Sequence, residues 1–400
     1  MTEIFPFQRN LRDYFKNQTK TWEWFAQKTN KAGQHETFKT ELLKNAYRID
    51  SVSEPELYAA LDKAKSMLGI QIPVTIYQSQ SDNSNNAGIA YLDTEAHIIF
   101  SGTLLKILDQ EELLALLSHE LTHVLLYQID HGDYEITNRI IDSIARDVNS
   151  EAFYLETARL NQLYTELFCD RGALLVCSNY EVVISTLVKV HTGLQKVSAE
   201  SYLQQTEEIL SKEEAGSLGS THPEIYYRTK AIKLYADGVQ NSGEQIEKLI
   251  AGKYELQKLH LFSKPVIYDF TKHLVDALLK LNWTKSEHTN TLYRQYFLEY
   301  NPDPNVLLDE KSKAMIQNCG DSMKNYFCYV MLDFAMCDTE ITLPFTGHIF
   351  DVAEQLDLSK NMEKILKKEF SLTERAFKDK LKSATTALNE ILAADHENAY

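Results

Sequence analysis

Apolar residues recur every three or four positions along most of the chain, the period of helices with one buried face. Residues 54–68 are a clear amphipathic case. Period-two alternation of β-branched and aromatic residues is confined to 73–77 (PVTIY), 88–91 (GIAY) and 97–100 (HIIF). The polar run 81–86 (SDNSNN) separates the first two as a turn. About three short antiparallel strands are expected there. Asp109, followed three residues later by Glu112, has the spacing of a capping box and opens a long helix. Residues 1–31 are rich in aromatics, including Phe5, Phe7, Phe15, Trp22, Trp24 and Phe25, and predict a helix packed onto the body. Turn signals at Asp237-Gly238 and Asn241-Ser242-Gly243 mark a boundary, beyond which the pattern is helical to the end.

The expected fold class is mainly α with a small antiparallel β-sheet (α+β), in three parts. These are an N-terminal helical arm (1–45), a central domain (46–238) and an all-helical C-terminal domain (239–400).

Composition narrows the function. Hydrophobic residues make up 44% of the 400, which is ample for a core, and only 14 glycines and 8 prolines interrupt it. The net charge of −16 argues against nucleic acid, whose phosphates need a basic stripe, and against an anionic membrane surface. No stretch approaches the roughly 20 apolar residues of a membrane span, and residues 1–10 lack a signal-peptide pattern. The five cysteines (Cys169, Cys177, Cys319, Cys328, Cys337) include no CxxC pair and read as reduced thiols, so a cytoplasmic location is expected.

The long helix carries His119-Glu120-Leu121-Thr122-His123. Residues four apart share a helix face, so both imidazoles can reach one metal ion, with Glu120 placed to take a proton from a metal-bound water. The flanks are apolar almost all round, and two imidazoles and a carboxylate in such a helix are costly unless they have partners. Zinc needs a third protein ligand and an open position. A glycine three residues and a histidine six residues beyond the motif would mark a metzincin, but Leu126 and Ile129 stand there. The gluzincin alternative is a glutamate on a later helix. Glu166 fits, with Asp170 one turn on to accept an imidazole N–H. Glu151 and Glu156 are rivals without such an aspartate.

These blocks resemble metallopeptidase family 48, the relatives of the heat-shock protease HtpX and of the CaaX prenyl protease. Phe100-Ser101-Gly102-Thr103-Leu104-Leu105 leads to His119–His123 as that family's strand leads to its motif helix. Glu166 and Asp170 match its glutamate–aspartate pair, and Ser220-Thr221-His222-Pro223 with Arg228 matches its later segment. Three departures stand out: the family's usual transmembrane helices or secretory signal are not read here, Asn86-Ala87-Gly88-Ile89-Ala90 replaces the usual Asn-Ala-Phe-Ala, and Cys169 replaces the alanine before the aspartate.

The resemblance implies one Zn2+ per chain, held by His119, His123 and Glu166, and hydrolysis of peptide bonds within protein or peptide substrates, with Glu120 as general base. His222 has two readings, oxyanion donor or cap on the metal. Arg228 also has two, orienting the His222 loop or pairing with Asp170. The strand His97, Ile98, Ile99 and Phe100 is expected to be the sheet edge that receives substrate. An aminopeptidase would need an acidic anchor for the substrate's amino group, and no short motif marks one. The other alternative is a latent zinc-binding interaction module whose helical C-terminal half binds protein partners. That half weakly resembles TerB-like helical modules around 305–370.

Overall fold

The structure, a computed structural model, describes residues 3–27, 32–80, 84–212, 224–299 and 301–397. His222 and the rest of Ser220–Pro223 lie outside these residues. The fold is mainly helical, about 70%, with one small four-stranded sheet. Two compact units divide it, residues 1–250 and 251–400.

The first unit opens with α1 (Pro6–Lys16), α2 (Thr19–Ala26) and α3 (Ala32–Asn45). The aromatic arm thus forms more than one helix. Leu11 and Phe15 are fully buried, and Phe5 and Phe7 set their rings 5.0 and 5.1 Å from Tyr164. Next come β1 (Ala46–Arg48), α4 (Pro55–Leu68), β2 (Val74–Ser79), β3 (Asn86–Tyr91), β4 (Ala96–Ser101) and the single turn α5 (Leu104–Ile107). Pro55 starts α4 and Gly69, at φ +74°, ends it in the left-handed conformation that glycine adopts without strain.

The sheet order is β1-β2-β4-β3, and it is mixed rather than antiparallel: β2 and β4 run parallel, while β1 and β3 flank them antiparallel. Two features produce the difference from the three-strand expectation. β1 is only three residues, Ala-Tyr-Arg, too short for any alternation to register. The chain between β2 and β3 also carries β3 to the far edge, so that β4 returns between them.

One face of this sheet packs on α4 and on α6 (Gln110–Gln128), burying Ile76, Ile98, Phe100, Leu57, Leu61, Leu117 and Leu121 in a single core. The helix α6 begins at the expected capping box, in which Glu112 N donates to Asp109 Oδ1 and Asp109 N to Glu112 Oε2, both at 3.0 Å. After it the chain turns through left-handed Asp130, His131 and Gly132 into α7 (Asp133–Ala145). Then follow α8 (Ala152–Cys177), α9 (Tyr180–Thr192), α10 (Ala199–Leu210), α11 (Ile225–Ala236) and α12 (Ser242–Ala251). Helix α12 buries Ile246 with Leu126, Tyr164 and Phe168, so this contact lies within the first unit.

The second unit is helical: α13 (Ser263–Leu278), α14 (Glu287–Tyr296), α15 (Glu310–Gln317), α16 (Asp321–Met336), α17 (Thr342–Gln355), α18 (Ser359–Glu369) and α19 (Glu374–Glu397). Its core centres on Phe327, Met331, Phe334, Phe345 and Ile349. At the α16–α17 turn, Asp338 Oδ1 accepts the Glu340 N–H at 3.0 Å, so Asp338 caps the turn and Ile341 occupies the N-cap of α17.

Candidate active site and metal centre

Helices α6 and α8 lie side by side, and a glycine sets how closely. A Cβ on Gly172 would stand 2.6 Å from Thr122 Cγ2 and 2.8 Å from Thr122 Cβ, so a larger residue would force the helices apart. The close approach puts the metal-motif face of α6 against the Glu166–Asp170 face of α8. His119 Nε2 is 3.3 Å and His123 Nε2 3.8 Å from the two oxygens of the Glu166 carboxylate. On the other side of the same ring, His119 Nδ1 donates to Asp170 Oδ1 at 3.0 Å.

Arg228, arriving from α11, closes the arrangement. Its Nε and Nη2 donate to the two oxygens of Asp170 at 2.7 Å each, and its Nη1 lies 2.9 Å from Glu166 Oε2. Of its two sequence readings, the structure has the pairing with Asp170. Neither rival glutamate joins the group: Glu151 is the residue before α8, and Glu156 pairs with Arg159 at 2.7 Å.

Electrostatics follow from this placement. Burial disfavours the charged form of Glu120 and pushes its carboxyl up to about 7, with only partial relief from His119 and Arg228. For His119 burial acts the other way, yet its hydrogen bonds to Asp170 and Glu166 outweigh it and raise the ring to about 10. His123 lacks comparable partners, and burial lowers it to about 4. Burial opposes ionisation of Glu166 and Asp170 too, but Arg228 and His119 hold both below the usual carboxylate range. Cys169 is buried beside these carboxylates and its thiol is pushed well up.

The donor set suits zinc. Two imidazoles and one carboxylate converge, and the Asp170 contact at His119 Nδ1 leaves Nε2 for an ion. Glu120 is not needed for that set. It lines a cavity of about 480 Å³ together with His119, His123, Glu166 and Arg228.

The substrate edge expected at His97–Phe100 is corrected by the topology. β4 lies between β2 and β3 and pairs with both, so no side of it is open to a further strand. His97, Ile98 and Phe100 are buried and Ile99 is half-buried, with the His97 ring against Phe38 and Tyr77. The cavity-side strand is instead β3, an edge of the sheet, whose Asn86, Ala87, Gly88 and Ile89 form one wall. Ala115, Ala173, Val183, Leu187 and Val190 from α6, α8 and α9 add a largely apolar lining, with Thr186 and His191 among them. Neither was identified from sequence. A weak alternating pattern does not say which strand is outermost, and the second lining needs three helices to meet.

The HExxH helix, with a glutamate and aspartate on a neighbouring helix and an edge strand lining the cavity, has the donor arrangement of a gluzincin-type zinc site. Residues 53–236 match the family described as Peptidase family M48. The chain is also 30% identical over 159 residues to the plastoglobule-localized metallopeptidase 48, chloroplastic, of Arabidopsis thaliana. That match covers 38% of this chain and 45% of the relative, so it spans less than half of the plant protein's length. No solved structure matches the chain significantly.

Proposed function

We propose that the chain is a zinc-dependent endopeptidase acting on protein or peptide substrates, with one zinc ion per chain. The observation that carries this reading is Glu120. It is a buried carboxyl raised to about 7, facing a cavity beside two imidazoles and a carboxylate that suit zinc. A purely structural metal site has no use for a proton-accepting group so placed.

His119, His123 and Glu166 hold the ion, Asp170 fixes the ring of His119, and Arg228 neutralises both carboxylates. Zinc, when bound, supplies an acidified water and polarises the scissile carbonyl. Glu120 takes the proton of the attacking water and passes it to the leaving amine. The free side of β3 suits an extended peptide, whose backbone would add to the sheet as a further strand. Among the described residues the carboxylates lining the cavity are Glu120, Glu166 and Asp170, which leaves no separate acidic anchor for a substrate's amino group and favours internal bonds over terminal residues. His222 remains the proposed oxyanion donor. The free cysteines support a cytoplasmic setting. No helix among the described residues is long and apolar enough to cross a membrane. For the helical second unit we propose a role in binding substrate or partner proteins.

The test is metal content and casein cleavage, compared between wild type and Glu120→Gln. One zinc in both, with cleavage by wild type alone, supports the reading. Absence of zinc from wild type would overturn it.

A further inference from the structure

Helix α8 offers the metal centre a second donor. Cys169 follows Glu166 by three residues and so shares its helix face. One ligand atom each of His119, His123 and Cys169 lie within 4.8 Å of one another. The thiol is fully buried. Cys319 and Cys337 donate to carbonyls of their own chain segment, but Cys169 makes no hydrogen bond among the described residues. Glu166, the rival donor, is shared: its Oε2 is engaged by both His119 and Arg228.

We propose that Cys169 is a direct ligand of the metal in this domain, completing with His119 and His123 a thiolate-containing donor set that Glu166 either joins or competes with. The proposal rests on the zinc reading above. Its chemistry is consistent: the thiol loses its proton to solvent as the sulfur–metal bond forms, and imidazole with thiolate is a favoured combination for zinc. Where Cys169 takes the place of Glu166, three protein donors would still leave a position for the water that Glu120 serves.

Cobalt(II) tests this without reference to activity, because a thiolate ligand produces a sulfur-to-cobalt charge-transfer band in the near ultraviolet. The full chain is loaded with cobalt under anaerobic conditions and its spectrum recorded. The expected result is that band in wild type and in Cys177→Ala, and its loss in both Cys169→Ser and Cys169→Ala. Cobalt bound by wild type with visible d–d bands but no charge-transfer band would overturn the proposal and leave the zinc reading intact. A band that survives in Cys169→Ala would do the same. Failure of wild type to bind cobalt or zinc would overturn both. Because wild type alone can give the negative result, misfolding of a variant cannot rescue the idea.

Discussion

Arg228 grips Asp170 with two parallel hydrogen bonds, Nε and Nη2 each 2.7 Å from a carboxylate oxygen, and the pair is buried between α11 and α8. Through Asp170 this contact reaches His119, whose Nδ1 it holds at 3.0 Å. Removing the guanidinium strands Asp170 and Glu166 as neighbouring carboxylates out of water. Arg228→Met should therefore destabilise the first unit by about 3–5 kcal/mol, the usual penalty for breaking one side of a buried pair. Urea unfolding followed by tryptophan fluorescence and circular dichroism would measure it. Arg228→Lys should recover only part, because an ammonium cannot make the two-point contact. An unchanged midpoint in Arg228→Met would show that the carboxylates do not depend on it.

Glu120→Gln keeps the side chain's shape and removes its basicity. The variant should bind zinc as wild type does and lose about 10²–10⁴-fold in turnover, the range of a general acid–base contribution. Metal analysis and initial cleavage rates on an unstructured protein measure the two quantities separately.

Glu166→Ala removes the carboxylate nearest both imidazoles. Zinc retention should fall, read by dialysis against a chelator. Retention equal to wild type would take Glu166 out of the ligand set.

Gly172→Ala tests the spacing of α6 and α8. The added methyl meets Thr122 Cγ2 at 2.6 Å, so the helices must separate or Thr122 must turn. A loss of about 1–3 kcal/mol is expected, typical of overpacking a core, with weaker zinc retention because Glu166 and Asp170 move with α8. Thr122→Ala in the same chain should restore part of both. Retention that stays at the wild-type level in Gly172→Ala would show that the helix spacing does not tune the metal centre.

The second unit carries its own pH sensitivity in His348. Burial lowers this imidazole below its ordinary 6.5, only partly offset by a hydrogen bond to the Leu278 carbonyl, and its Nε2 is buried without a partner between Trp283 and Phe345. The unfolded chain therefore takes up this proton more readily than the folded one. The contribution is complete above pH 6.5 and is lost as pH falls through that value towards the lower folded one. His348→Phe should flatten the decline in stability between about pH 7 and 5, the window in which a histidine of depressed pKa titrates. A decline of the same slope in the variant would assign it to other groups.

Much of the site was legible without coordinates, because helical spacing by itself determines which residues share a face. His119 and His123 on α6, and Glu166 and Asp170 on α8, had to present two donor pairs as soon as those segments were helical. The capping box before α6 and the end of α4 at Gly69 are equally local, set by backbone groups that must be satisfied within a few residues. Tertiary structure alone decided the rest, since each remaining feature joins atoms far apart in the chain. Sequence left two roles for Arg228, and packing of α11 on α8 brings about the pairing with Asp170, while the His222 loop lies outside the described residues. Alternation marked His97–Phe100 as a strand but could not say that β4 would sit between β2 and β3, with β3 taking the cavity edge. Strand order depends on which hydrogen-bonding edge the returning chain meets, and a period of two is the same at the centre of a sheet and at its rim. Nor could a lone cysteine in an apolar helix announce its neighbours: Cys169 came within reach of His119 and His123 only because Gly172 lets the two helices close.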